Sequence, residues 1–455
     1  MPATGSVFPL PLTPWERLLL TDERPGYPMV WVAQVDFAGV FDRAGFEDAM
    51  ARAHERQLLM RTTVSPRREW REPPAGRADV IRWLPWADDL PVAVPESIDL
   101  RRESGFRLFI QQDDRRCRFT AQFHHAAVDG QAGIEFLLET MAAYAGLPAK
   151  PAPDPALLRT RGAAPAVANR SGTGETGPAP SLREVVGFLL RHPSPLRPEG
   201  ERVRDPAPFP GMLSHTFDAD EARAIRVAAR RLDASVNDLF LCALFRAIAA
   251  WNAGDRPARG RRWLRVVVPT DLRAGGSSRM AANVLGFALV DRRERDCRDA
   301  AALLAGIRAE TRSIRRFRLG RLFAEGLALV VRVPGLLRLV TRRPASFATV
   351  VFSNLGSLGT RNVGPLPRPT GGDSPAVPEI ERILGATPLR PGTRASFVLT
   401  GVRGRLTITL RTDRRHLDQR ASERLLQSLV DRLHETLTLA DSSSDSPAEP
   451  STNGV

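Results

Sequence analysis

Two adjacent histidines are the residues of this chain best suited to chemistry. Histidine is scarce, 7 among 455 residues, yet His124 and His125 are neighbours in the run Phe123-His124-His125-Ala126-Ala127-Val128-Asp129-Gly130. An imidazole titrates near neutral pH and can take a proton from a hydroxyl or an amine. A base of this kind, once positioned, is worth about 10²–10⁴ in rate. Side chains alternate along a strand, so only one of two consecutive strand-end histidines can face a given cavity. His125 is the candidate base and His124 its structural neighbour. A plainer reading stands beside this one. Asp129 could simply cap the helix that follows, Gly130 could serve the turn, and both imidazoles could be packed strand residues. A metal site built from His124, His125 and Asp129 has little support, because no further His, Cys or carboxylate pattern lies nearby.

These residues need a strand before them and a helix after them. Residues 106–111 and 117–123 alternate around Asp113-Asp114 and read as a hairpin. Residues 131–144 carry Ile134, Leu137, Leu138 and Met141 at helical spacing. Earlier, residues 30–40 read as a strand and residues 42–59 as an amphipathic helix. Residues 148–180 are rich in Pro, Ala, Gly and Ser, without periodicity, and read as a linker or long crossover. Beyond it, residues 220–231, 235–251 and 419–436 read as helices, and 263–269, 347–352, 395–400 and 406–411 as strands. Residues 310–340 read as a basic helical segment broken near Pro334. The expected organisation is an N-terminal α/β subdomain (1–147), the linker (148–180), a C-terminal subdomain (181–440) and a disordered tail (441–455).

Composition narrows the function classes. Net charge is +14, nearly all of it from arginine, since Lys150 is the only lysine. The arginines are spread along the chain and aromatics are only 6%, so a nucleic-acid surface of clustered charge and interleaved rings is not expected. Cys117, Cys242 and Cys297 fit neither a zinc spacing nor a disulfide framework, which suits a reduced, cytoplasmic setting. The N-terminal residues lack a basic flank before an apolar core, so a cleaved leader is not expected. Residues 327–340 are too short and too charged to span a bilayer.

The segment from His124 to Gly130 matches HHxxxDG in full. It resembles the signature of the superfamily of chloramphenicol acetyltransferase, nonribosomal-peptide condensation domains, wax ester synthases and polyketide-associated acyltransferases. Other segments are similar in order and spacing: LTPWERLLL near the start, HERQLLMRTTV before Ser65, Ser235-Val236-Asn237-Asp238, Val268-Pro269-Thr270-Asp271-Leu272-Arg273, Asn283 to Gly286, and Ser353-Asn354-Leu355-Gly356. The resemblance implies an α/β fold of two chloramphenicol-acetyltransferase-like subdomains, a pseudo-dimer around a central cleft or tunnel, with His125 midway. It implies that Asp129 turns away from the reaction centre and pairs with Arg273, and that Gly130 leaves room for a substrate chain. Ser353 and Asn354 are implied as channel lining, although a plain turn fits them too, as a helix cap fits Asn237-Asp238.

The reaction implied is acyl transfer from an acyl-CoA or acyl-carrier-protein thioester to an alcohol or amine. It needs no acyl-enzyme, metal or prosthetic group. The acceptor would be a small molecule or a lipid, and the protein a monomer. The alternative is a catalytically inactive binding or scaffold protein of the same fold. Departures exist. The DFGWG segment of condensation domains is replaced by Gly401-Val402-Arg403-Gly404-Arg405, and no carrier or adenylation domain is attached, so a free-standing acyltransferase is expected. Gly172 to Gly177 spells GxGxxG, but no strand precedes it and Pro178 follows, so it cradles no phosphate. Asn169-Arg170-Ser171 is a glycosylation sequon by letters only. Arg308, Arg312, Arg315, Arg316, Arg318 and Arg321 read as a solvated helix face. Their functional readings are coenzyme A phosphates, an acidic carrier protein, or an anionic membrane surface.

Overall fold

The computed structural model describes residues 7–73, 80–87, 97–148, 151, 154–162, 191–201, 211–254, 262–273, 282–317, 319–342, 346–357 and 378–442. The glycine run 172–177, the sequon, Lys150, Arg318 and the tail from 443 lie outside them.

A short strand β1 (Leu10–Pro11) leads into helix α1 (Pro14–Asp22). A reciprocal cap starts that helix: the Glu16 N–H donates to Thr13 Oγ1 and the Thr13 N–H donates to Glu16 Oε2. Next come β2 (Val30–Ala38), α2 (Arg43–Glu55), α3 (Leu58–Arg61), β3 (Glu69–Trp70), β4 (Ile81–Pro85), β5 (Phe106–Gln112), β6 (Arg116–His124) and α4 (Gly130–Tyr144). The second half holds β7 (Met212–Phe217), α5 (Ala219–Arg231), α6 (Val236–Ala253), β8 (Trp263–Asp271), β9 (Leu285–Arg293), α7 (Ala300–Arg316), α8 (Gly320–Arg332) and α9 (Leu336–Arg342). It closes with β10 (Val350–Ser357), β11 (Glu379–Ala386), β12 (Ala395–Val402), β13 (Arg405–Thr412) and α10 (Gln419–Leu437).

Two mixed sheets result, each covered by helices, and the chain is a two-subdomain α/β protein. The first runs β11-β2-β6-β5-β4 and packs Phe37, Phe119 and Ala121 against Phe46, Met50 and Phe136 of α2 and α4. The second runs β7-β13-β12-β10-β8-β9 and packs Phe352, Phe397 and Ile408 against the buried helix α6 and the inner face of α10. A third apolar cluster joins the halves. It brings Trp15 and Leu19 of α1 together with Ala126 and Ala127 of the histidine loop, and with Ala282, Leu327 and Leu337 from the second half. Trp15 packs edge-on against Phe287 at 4.7 Å and Phe323 at 5.6 Å.

The expected boundary assigns Glu379–Ala386 to the C-terminal subdomain, but this strand adds to the N-terminal sheet, antiparallel to β2 with Ala386 opposite Val32. The sequence split does not partition the sheets, because β2 offers a free edge that the returning chain pairs. The expected linker is also partly folded. Residues Pro155–Thr160 form a 3-10 turn with Leu158 buried, and Arg161 Nε lies 2.8 Å from Glu16 Oε1. That carboxylate, fully buried, also accepts the Trp70 indole N–H, which accounts for a charge inside the seam. The expected helix 42–59 stops at Glu55, because Gln57 turns out of helical geometry (φ −110°, ψ 82°) before α3 begins. The basic segment resolves into α7, α8 and α9, with one break at Phe317 to Leu319 and another at Val333 to Gly335. No single helix among the described residues is long and apolar enough to cross a membrane.

Candidate active site

The histidine loop is locked from three sides. Strand β6 ends with His124 opposite Val30 of β2. The His124 N–H donates to the Gly105 carbonyl at 2.8 Å, and the His125 N–H to the Met29 carbonyl at 2.7 Å. Trp31 stacks on Phe123 with ring centroids 4.1 Å apart and donates its indole N–H to the Val128 carbonyl at 2.9 Å. Gly133 makes that fit possible, since a Cβ there would lie 2.4 Å from the Trp31 ring.

His124 is fully buried and its ring is committed on both sides. The Ala126 N–H donates to its Nδ1 at 3.1 Å, which leaves Nε2 to carry the proton toward Glu23 Oε2 at 3.5 Å. Glu23 also accepts the Met29 N–H. His124 thus ties α1, β2 and β6 together and has no lone pair left for a metal or a substrate. His125 differs. It is partly exposed, and its Nδ1 is enclosed without a partner. Burial lowers its pKa below the ordinary imidazole value, and neighbouring His124 works in the same direction. Its own backbone carbonyl, the Asp129 charge and the Asn283 side chain oppose that shift without cancelling it. The shift favours the neutral ring, the form able to accept a proton.

Asp129 serves as both cap and ion pair. Its Oδ1 accepts the Ala132 N–H at 3.0 Å at the start of α4, and its Oδ2 accepts from Arg273 Nη2 at 2.8 Å and from the Val284 N–H at 3.0 Å. Both side chains are buried, and Arg273 also donates to Asp271 and to the Ala282 carbonyl. The paired carboxylates raise the Arg273 pKa against the opposing effect of burial. With both oxygens occupied, Asp129 is no metal ligand. Among the described residues no group of three His, Cys, Asp or Glu side chains is arranged to hold a metal ion. Gly130 has an ordinary backbone, and the nearest atom to an added Cβ would be Leu355 Cδ2 at 3.4 Å, so the glycine does not serve a strained turn. That leucine brings β10 of the second half against the histidine loop. Ser353 is buried in β10. Asn354 accepts the Gly356 N–H at a bulge where Gly356 has φ +71°, so its side chain shapes the strand end. Asp238 closes a reciprocal cap with Ser235 at the start of α6, and Asn237 belongs to the same first turn.

Asn283 was not singled out as a site residue from the sequence, although it stands in a segment that resembles the family. Its amide donates to the His125 carbonyl at 2.7 Å and to the Ala126 carbonyl at 2.9 Å, binding the loop of one half to the other. Its Oδ1 is buried without a partner. The same asparagine lines a small cleft together with Trp15, Leu272, Leu285, Ala324 and Leu327. No thiol competes for the role of nucleophile among the described residues. All three cysteines are buried, and burial pushes Cys242 up to about 11 and Cys297 up to about 12. In the basic stretch, Arg308 and Arg312 are engaged by Asp233, and Arg321 by Glu325, which leaves only part of it as an open face.

No protein-family model matches the chain. An uncharacterized protein of Mycobacterium tuberculosis, Rv2305, is 28% identical over 332 residues, covering 66% of this chain and 71% of the relative. Three solved structures are similar. The nonribosomal peptide synthetase FmoA3 superposes with a TM-score of 0.66 at 16% identity, over 99% of this chain but only 46% of its own. This chain therefore spans less than half of that synthetase. The trichothecene 15-O-acetyltransferase TRI3 of Fusarium sporotrichioides gives 0.67 at 12% identity, covering 95% of this chain and 96% of that one. Polyketide synthase associated protein 5 of Mycobacterium tuberculosis gives 0.59 at 17%, covering 95% and 98%. The chain thus shares the fold of condensation domains and of the acetyltransferase TRI3.

Proposed function

We propose that the protein is a free-standing acyltransferase that moves an acyl group from a thioester, acyl-CoA or acyl carrier protein, to an alcohol or amine. The observation that carries this reading is the asymmetry of the two histidines. One ring is tied down at both nitrogens, and the other, at the seam of two subdomains, is partly exposed with no partner at Nδ1. In the proposed step the acceptor oxygen or nitrogen attacks the thioester carbonyl while His125 Nε2 takes its proton. The new C–O or C–N bond forms, the C–S bond breaks, and the proton passes from the imidazolium to the departing thiolate. Direct transfer fits a site whose cysteines are buried thiols. The Asp129–Arg273 pair and Asn283 hold the loop in place.

The test is incubation with radiolabelled acyl-CoA thioesters of graded length and a panel of alcohols and amines. Label in an ester or amide, with initial-rate patterns of a ternary complex, supports the reading. Tight ligand binding without turnover on any donor, carrier-bound donors included, identifies a scaffold of the same fold instead.

A further inference from the structure

The outer surface of helices α8 and α9 exposes apolar side chains that the fold does not use. Among the described residues, seven large apolar side chains are exposed, and five of them fall on Gly320–Arg342 and its turn: Leu322, Leu329, Val333, Leu339 and Val340. Leu329 is 62% exposed and Leu339 58%. The turn Val333-Pro334-Gly335 is open to solvent, and Gly335 sits at φ +78° with no atom near an added Cβ. The charge on this hairpin is one-sided. It carries four arginines against one acid, Glu325, which Arg321 already engages. Exposed Arg332, Arg338 and Arg342 have no carboxylate in ion-pair range among the described residues. The inner face, by contrast, is anchored: Leu327 and Leu337 join the seam, and Ala324 and Leu327 line the cleft that ends at Asn283.

We infer that the α8–α9 hairpin is a docking surface for an anionic phospholipid bilayer, lying in the headgroup layer with its leucines and valines inserted. Aliphatic side chains beside uncompensated arginines are the composition of an interfacial helix. Three free arginines complement an anionic surface and add about fivefold each to partitioning. A folded acidic partner would complement the arginines but would leave the aliphatic tip without the apolar medium it suits. The docking does not rest on the acyltransfer reading.

The experiment is sedimentation of the full chain with vesicles of phosphatidylglycerol and phosphatidylcholine, and with phosphatidylcholine alone, over a salt series. Binding to the anionic vesicles that weakens with salt is expected. Arg332→Gln, Arg338→Gln and Arg342→Gln together should lower partitioning about a hundredfold. Leu329→Ser with Leu339→Ser should lower it about a hundredfold. All five positions are exposed, and unchanged circular dichroism confirms that the variants fold. A wild-type protein that stays in the supernatant overturns the inference. So do variants that sediment like wild type, or capture by an acidic acyl carrier protein but not by vesicles. No readout requires turnover, so failure of docking and failure of acyl transfer are told apart.

Discussion

At the residue scale the account turns on the protonation state of one ring. In the proposed step His125 acts as the neutral ring, and burial lowers its pKa. Activity should therefore persist at pH values where a free imidazole, near 6.5, is half protonated, and fall only as pH drops through the lowered value. A profile of kcat/KM against pH with its acid limb below 6.5 is the expected result, and a limb at or above 6.5 contradicts it. The neighbouring ring predicts differently. His124 has both nitrogens committed, so His124→Ala should show first as a lower melting temperature, from the lost tie to Glu23 and a cavity in a fully buried place.

At the element scale the pair between α4 and the end of β8 does the holding. Asp129→Ala removes a helix cap, worth about 1 kcal/mol, and leaves the buried guanidinium only Asp271 and the Ala282 carbonyl, a further loss of at most about 3–5 kcal/mol. Arg273→Ala should cost less, because Asp129 keeps two backbone N–H donors. Asp129→Asn should fall between Asp129→Ala and the native protein, since asparagine still caps. Urea midpoints of the three variants check the order. Much of this was legible in the sequence. The strand-loop-helix frame of the histidines follows from alternation and helical spacing, and the Asp129–Arg273 pairing was implied by the resemblance. What local pattern could not supply is pairing at long range. Glu379–Ala386 finds its partner in β2, more than 300 residues earlier, and Met212–Phe217 buries no alternating face that a period of two would reveal. The role of Asn283 depends on contact between halves, which its sequence neighbours do not encode.

At the scale of the whole molecule, stability should depend on acid through a further buried histidine. His54 is buried at the end of α2 with Nε2 3.2 Å from the Met60 carbonyl, and burial lowers its pKa to about 4. The unfolded chain binds that proton near 6.5, so the stability is complete above 6.5 and is lost as pH falls from there through about 4. The span corresponds to about 3 kcal/mol. His54→Gln, which keeps a donor and cannot titrate, should flatten this part of the stability curve against pH. An unchanged curve contradicts the assignment. The seam between halves matters at the same scale, because α1, the histidine loop, Asn283 and α8 meet there and the cleft opens among them.

The most direct measurement is the rate of acyl transfer by His125→Ala beside the native protein, on a donor and acceptor found active, with thermal melts of both. The account predicts a loss of about 10²–10⁴ in rate with the melting temperature nearly unchanged, since the His125 side chain is partly exposed and its Nδ1 has no partner. Transfer at the native rate by the folded variant would contradict it.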